Sequence, residues 1–178
     1  MAPHDLPKPE FSRPVEWRAS GKPRISLTVK ANAEECAALA RRMDLLALHS
    51  LEAAVVIRLL AGGERLQLSG RLRAAVRQSC VVTLAPVEST IDEEFTVLYA
   101  PPDATDVELV MGPAGDDSWD EPWPGDVLDV GEAVAQQLAL AIDPYPRAPG
   151  AQLPTPAEGA RGPFAGLSPA PKGRRGRA

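Results

Sequence analysis

Arg65, Arg71, Arg73 and Arg77 fall at one parity of a single alternating stretch. Side chains two apart share a face of a strand, so such a row could grip RNA phosphates. The simpler reading is cross-strand pairing with Asp92 and Glu94, since opposite charges attract across a hairpin. A second cationic group, Lys172, Arg174, Arg175 and Arg177, is spaced by Gly173 and Gly176. Flexible cationic segments of this kind bind nucleic acid without sequence choice, and otherwise serve solubility. Trp119 and Trp123 lie among Asp116, Asp117, Asp120 and Glu121. Indoles in an acidic loop could anchor a basic protein partner, or fold back over the edge of the core. Aromatic residues make up only 4% of the chain, which disfavours base stacking as the main mode of contact.

Residues for covalent chemistry are scarce. The histidines are His4, in an expected tail, and His49, in an expected turn. Neither belongs to a nucleophile motif, and there is no Gly-x-Ser-x-Gly. Gly62-Gly63 lacks the spacing and the lysine of a phosphate-binding loop. The carboxylates sit mostly in exposed-looking segments, where their ordinary pKa gives little leverage for acid/base catalysis. Cys36 and Cys80 are the only cysteines, too few for a disulfide framework. Thr83 stands where a Cys-x-x-Cys starting at Cys80 would place its second thiol, and structural zinc wants four ligands. The expectation is a buried Cys80 packing in the hairpin, no metal, no cofactor, no small-molecule substrate and no enzyme.

The elements that must position these groups can be read from proline, charge and periodicity. No proline lies between Arg24 and Ala85, although the chain holds 19. The proline-free stretch predicts regular structure, and the proline-rich ends predict extended tails. Residues 1–77 carry 13 Lys and Arg against 8 Asp and Glu. Residues 78–146 carry 15 acidic residues and no Lys or Arg, and the remainder is basic again. This sorting suits polar partners of both signs, or front and middle offsetting each other on folding. Met1 to Phe11 has no apolar core of a leader, and Ala53 to Ile57 is far too short to span a bilayer. A soluble, cytoplasmic protein is expected.

Arg24 to Ala31 alternates as a strand, and Asn32 with Glu35 makes a capping box for a helix over about 33–43. Ser50 to Leu60 reads as a strand, followed by a turn at Gly62-Gly63. Leu66, Leu68, Leu72, Ala74 and Val76 form the inner row of the next strand. Ile91, Phe95, Val97 and Tyr99 form the inner row of its partner. A turn near Ala85-Pro86 would set Arg77 opposite Glu94. A long loop covers 100–125, and Asp129 to Glu132 is a second capping-box pattern. Val130, Val134, Leu138, Ala141 and Ile142 stripe the helix behind it, which should stop at Asp143 because Pro144 follows. The predicted class is α+β: an antiparallel sheet of about four strands, two packed helices, and disordered N- and C-terminal tails. The predicted divisions are an extended arm at 1–23, one domain at 24–147 with its acidic loop, and a disordered basic tail at 148–178.

Three stretches in this order resemble the YceD family of large ribosomal RNA subunit accumulation proteins. Gln78-Ser-Cys80-Val-Val-Thr83-Leu-Ala-Pro86-Val resembles the family's hairpin with its Cys-x-x-Cys-x-x-x-Pro element. Asp129-Val-Gly-Glu-Ala-Val, with Gln137 to Pro146, resembles its closing helix and exit. Gly162-Pro-Phe-Ala-Gly-Leu167 resembles its tail box, with Gly162 in place of asparagine and Phe164 kept as a candidate docking residue. Thr83 replaces the second cysteine, so no metal role of the family carries over. The resemblance implies a non-enzymatic, bacterial ribosome-biogenesis role in synthesis, processing or accumulation of 23S rRNA. Its partner would be precursor ribosomal RNA or a large-subunit assembly protein. The alternative is a protein-only adaptor that holds a basic partner through the acidic loop.

Overall fold

The computed structural model describes residues 8–60, 65–100, 121–122 and 124–152. In chain order these form β1 (Pro14–Val15), β2 (Arg24–Lys30), α1 (Ala33–Arg42), β3 (Ala47–Leu59), β4 (Leu66–Ser79), β5 (Pro86–Ala100), β6 (Glu121–Pro122), β7 (Leu128–Asp129) and α2 (Val130–Ala141). The main sheet has the order β2-β3-β4-β5-β6, and β1 pairs separately with β7. The four long strands run antiparallel, as predicted, while the two-residue β6 adds a parallel edge to β5.

Period-two alternation makes the sheet one-sided. Leu51, Ala53, Val55 and Ile57 of β3 are buried with Leu66, Leu68, Leu72, Ala74 and Val76 of β4. Phe95, Val97 and Tyr99 of β5 complete that face. Both helices close over it, α1 through Cys36, Leu39 and Ala40, and α2 through Val130, Val134 and Leu138. The opposite face is covered by none of the described elements.

The helix signals are realised in different ways. Asn32 and Glu35 form the full capping box, with Oδ1 of Asn32 accepting from Glu35 N at 2.9 Å. Helix α1 ends in a Schellman turn. Leu45 N donates to Ala40 O, Asp44 N donates to Arg41 O, and Asp44 adopts a φ of 52°. In α2 only half of the predicted box forms. Asp129 accepts from Glu132 N at 3.2 Å, but the Glu132 carboxylate turns to Arg42 instead of the cap backbone. Helix α2 ends at Ala141, with Ile142 as its cap, just ahead of Pro144.

Three expectations need correction. His49 is in β3, not in a turn. Between Leu48 and Ser50 the β3–β4 register shifts, and His49 is the extra residue of that bulge. The bulge moves the buried parity from Leu48 to Leu51, which is why alternation alone placed the strand start too late. The β4–β5 register also differs from the predicted one. Arg77 faces Glu88, and Glu94 faces Arg71. The turn is Cys80 to Ala85, closed by Cys80 N donating to Ala85 O at 2.8 Å, and Pro86 opens the next strand instead of sitting in the turn.

The third correction concerns the arm. From residue 8 on it is extended but docked, so the packed unit begins well before Arg24. Phe11 and Trp17 belong to the core, and β1 pairs with β7. Arg13 and Asp129 lock the arm between the two helix starts. Arg13 N and Ser12 Oγ donate to Asp129 at 2.7 and 2.6 Å, and Val130 N donates to Arg13 O. The Arg13 guanidinium forks onto Glu35 at 2.7 and 2.8 Å and lies 4.6 Å from the Phe11 ring centre. Arg13 holds the Glu35 carboxyl below its ordinary range. The tail residues 1–7, the Gly62-Gly63 turn, the loop residues 101–120 and 123, and residues 153–178 lie outside the described residues.

Candidate functional site

The open face of the sheet presents the side chains that alternation turns away from the core. On β4 these are Arg71, Arg73 and Arg77, and on β5 they are Glu88, Asp92 and Glu94. Arg71 Nη2 donates to Asp92 at 2.9 Å and its Nε donates to the same carboxylate, while Arg73 Nε reaches it at 3.3 Å. Glu94 stands 4.0 Å from Arg71. Arg77 Nε donates to Glu88, whose carboxylate also lies 3.3 Å from His49 Nε2. Thus the bulge that lifts His49 onto this face adds it to the Arg77–Glu88 pair.

These contacts set the electrostatics. Arg71 holds the Asp92 carboxyl below its usual range, and Arg77 does the same for Glu88. Across the row, three arginines of β4 face three carboxylates of β5. Side chains here are 43% to 82% exposed, so each pair is solvent-screened and adds little to stability. A phosphate approaching Arg71, Arg73 or Arg77 must first displace a carboxylate. Arg65, the remaining member of the predicted row, is exposed just before β4 begins.

At the far end of the hairpin, Cys80 organises the turn. Its sulfur is fully buried and accepts N–H groups from Val82 and Thr83 at 3.4 Å each and from Ala148 at 3.2 Å. Val81 N donates to Pro146 O, and Gln78 Nε2 donates to Asp143 O at 2.8 Å. The hairpin tip thereby holds the segment that leaves α2. Cys36 is buried in α1 and makes no disulfide with Cys80. Among the described residues no three His, Cys, Asp or Glu side chains gather as a metal site.

Two concavities lie among the described residues. One, of about 350 Å³, lies at the β2–β3 end of the sheet and is walled by Trp17, Arg18, Lys22, Ile25, Ile57 and Leu66. The other, of about 380 Å³, runs between α2 and β5 along Glu93, Glu94, Phe95, Gln137 and Leu140. Leu140 is 78% exposed there, an apolar group beside two carboxylates.

Arg71, Arg73 and Arg77 lie on one face of β4, each opposite a carboxylate of β5. Trp119, Trp123, Phe164, Lys172, Arg174, Arg175 and Arg177 lie outside the described residues. Sequence reasoning missed Trp17 and the clamp of Arg13 on Glu35. The available signal was the odd-numbered run Phe11, Val15 and Trp17, which has strand spacing but is interrupted by Pro14. Also missed were Arg24 and Arg58, which pair across β2 and β3.

A family model described as Large ribosomal RNA subunit accumulation protein YceD matches residues 68–163, more than half of the chain. The match takes in nearly all of β4, then β5, the acidic stretch and α2. No curated protein and no solved structure matches the chain.

Proposed function

The chain belongs to the YceD family of large ribosomal RNA subunit accumulation proteins, and from that premise we propose that it supports 23S rRNA accumulation by binding, not by catalysis. The observation that carries this reading is the sheet face that none of the described elements covers. A sheet normally buries an apolar face and solvates the other, but this one spends its open face on 14- and 15-residue strands dense in charge. Such a face is a platform for a large polar partner.

The direct partner in this reading is precursor ribosomal RNA, in the bacterial cytoplasm. Arg65 and the basic run of Lys172, Arg174, Arg175 and Arg177 add contacts to phosphates. The Arg71, Arg73 and Arg77 row is mostly self-neutralised and sets the strand register. None of the helices described is long and apolar enough to cross a membrane. The test is crosslinking of the tagged chain in cells, with sequencing of attached RNA and mass spectrometry of attached proteins. Enrichment of 23S precursor supports the reading. Recovery of neither that RNA nor large-subunit proteins refutes it.

A second reading has its own observation. The groove beside Leu140 pairs an exposed apolar side chain with Glu93 and Glu94, which suits a basic protein segment. In that reading Trp119, Trp123 and Phe164 are docking residues, and the chain is a protein-only adaptor. Salt-titrated RNA binding separates the two, because phosphate contact demands a steep loss of affinity with salt.

A further inference from the structure

Arg24 and Arg58 are direct cross-strand partners at the end of the β2–β3 ladder. Both are exposed on the open face, because the adjacent Ile25 and Ile57 turn toward the core. Like charges set directly opposite each other destabilise a sheet. Elsewhere on this face the arginines of β4 are answered by carboxylates of β5. Here the row continues from Arg58 to Gln67 and Leu98, and the next row is Ser26, Val56, Ser69 and Thr96. Among the described residues, neither Arg24 nor Arg58 has an ion-pair partner, and neither has Lys22. Lys22 lies two residues before Arg24, on the wall of the groove at this end. Arg18, on the same wall, sits 5.3 Å from the Trp17 ring centre and bridges to Asp126 at 3.1 Å.

We propose that Arg24 and Arg58 form a binding surface for the phosphate backbone of RNA. This rests on the RNA-binding reading above and gives it a location outside the stretch matched to the family. Opposed antiparallel residues have Cα atoms about 5 Å apart, so two guanidinium forks can close on one phosphate or on neighbours. An anion between them relieves the repulsion that the bare sheet carries. Ser26, Ser69, Thr96 and Gln67 extend the patch with neutral donors suited to phosphate and 2′-hydroxyl oxygens. An acidic peptide would also neutralise the arginines, but it needs an apolar anchor. The only apolar groups on these two rows are Val56 and Leu98, both half-buried.

The test uses the full chain and a transcript of large-subunit ribosomal RNA, with affinity followed across a salt series. Arg24→Ala with Arg58→Ala should lower the salt slope by about 2, one per lost phosphate contact. Affinity at low salt should fall roughly tenfold. The thermal midpoint should stay or rise, since a repulsion has been removed. The Arg24→Lys, Arg58→Lys chain keeps the slope but binds more weakly, and Arg41→Ala, an exposed position on helix α1 away from this face, changes neither quantity. If the original chain binds RNA and the double alanine chain binds it equally, this surface is refuted and the RNA reading stands. If the original chain does not bind RNA, both fail. If the double alanine chain keeps RNA but loses a protein partner in cells, the surface serves an acidic protein and the proposal is overturned.

Discussion

Arg42 at the end of α1 grips Glu132 in the first turn of α2 with both terminal nitrogens, at 2.8 and 2.7 Å. The pair lies 90 residues apart in sequence and joins the only two helices described. Each charge also complements its own helix dipole, a cation at a C-terminus and an anion at an N-terminus. Glu10 adds a third contact, to Arg42 at 3.0 Å. Glu132 and Glu10 together raise the Arg42 pKa, so the guanidinium stays charged throughout. A double-mutant cycle over Arg42→Ala and Glu132→Ala should give a coupling of about 0.5–1 kcal/mol, because bidentate geometry lifts a partly exposed pair toward the upper end of its class. Urea unfolding at low and high salt measures it, and the coupling should shrink as salt rises.

The hairpin register makes a sharper test. Arg77 contacts Glu88, whereas a turn at Ala85-Pro86 would have given it Glu94. Exchange of charges at 77 and 88 (Arg77→Glu with Glu88→Arg) should recover the stability that either change alone removes. The same exchange between 77 and 94 should recover nothing. Thermal unfolding of the six chains decides it, and recovery at 94 instead of 88 would establish the other register.

Gly131 explains how the arm stays docked. A Cβ there would clash with the Phe11 carbonyl oxygen and come within 2.9 Å of Arg13 N, both backbone atoms that cannot swing aside. Gly131→Ala gains about 1 kcal/mol of helix propensity. Overpacking against backbone costs about 1–3 kcal/mol and should win. The expected result is lower stability with the arm released. In a chain with Trp119→Phe and Trp123→Phe, emission from Trp17 should shift to the red, and protease should cut between residues 8 and 23 first.

Much of this architecture was legible. The alternations of β2 and β4 and the caps at Asn32 and Asp129 are local signals, and they gave strands and helices close to those observed. What failed depended on non-local facts. Proline at 86 looks like a turn residue, yet its missing N–H is harmless at the first position of a strand. The turn is fixed instead by Cys80, whose sulfur collects amides from both its own loop and Ala148. The bulge at His49 hides β3's start because it breaks the period that identifies a strand. The Arg24–Arg58 pair is invisible in sequence, since it exists only once β2 and β3 are in register. The arginine row was visible, but whether it was free or neutralised depended on the same kind of alignment.

Cys80 should give the protein a pH-dependent stability that a buried thiol would not ordinarily show. The N–H of Ala148, the Thr83 side chain and the amides of Thr83 and Val82 favour the thiolate, while burial opposes it. The amides win, and the group falls from its ordinary 9.0 to about 6. In the unfolded chain the thiol keeps its ordinary value, so between these two pH values the unfolded state holds more protons than the folded one. Stability then rises with pH across that window and is lost as pH falls through about 6. Burial pushes the Cys36 thiol the other way, so it should not titrate in the same range. Thiolate absorbance near 240 nm should show a step close to pH 6 that survives Cys36→Ser and disappears with Cys80→Ser. Urea midpoints at pH 5.5 and 8.5 should differ more for the original chain than for Cys80→Ser, with the higher pH the more stable. A thiolate step confined to pH above 8 would mean that desolvation outweighs the three amides, and the turn would then be held without a charge on sulfur.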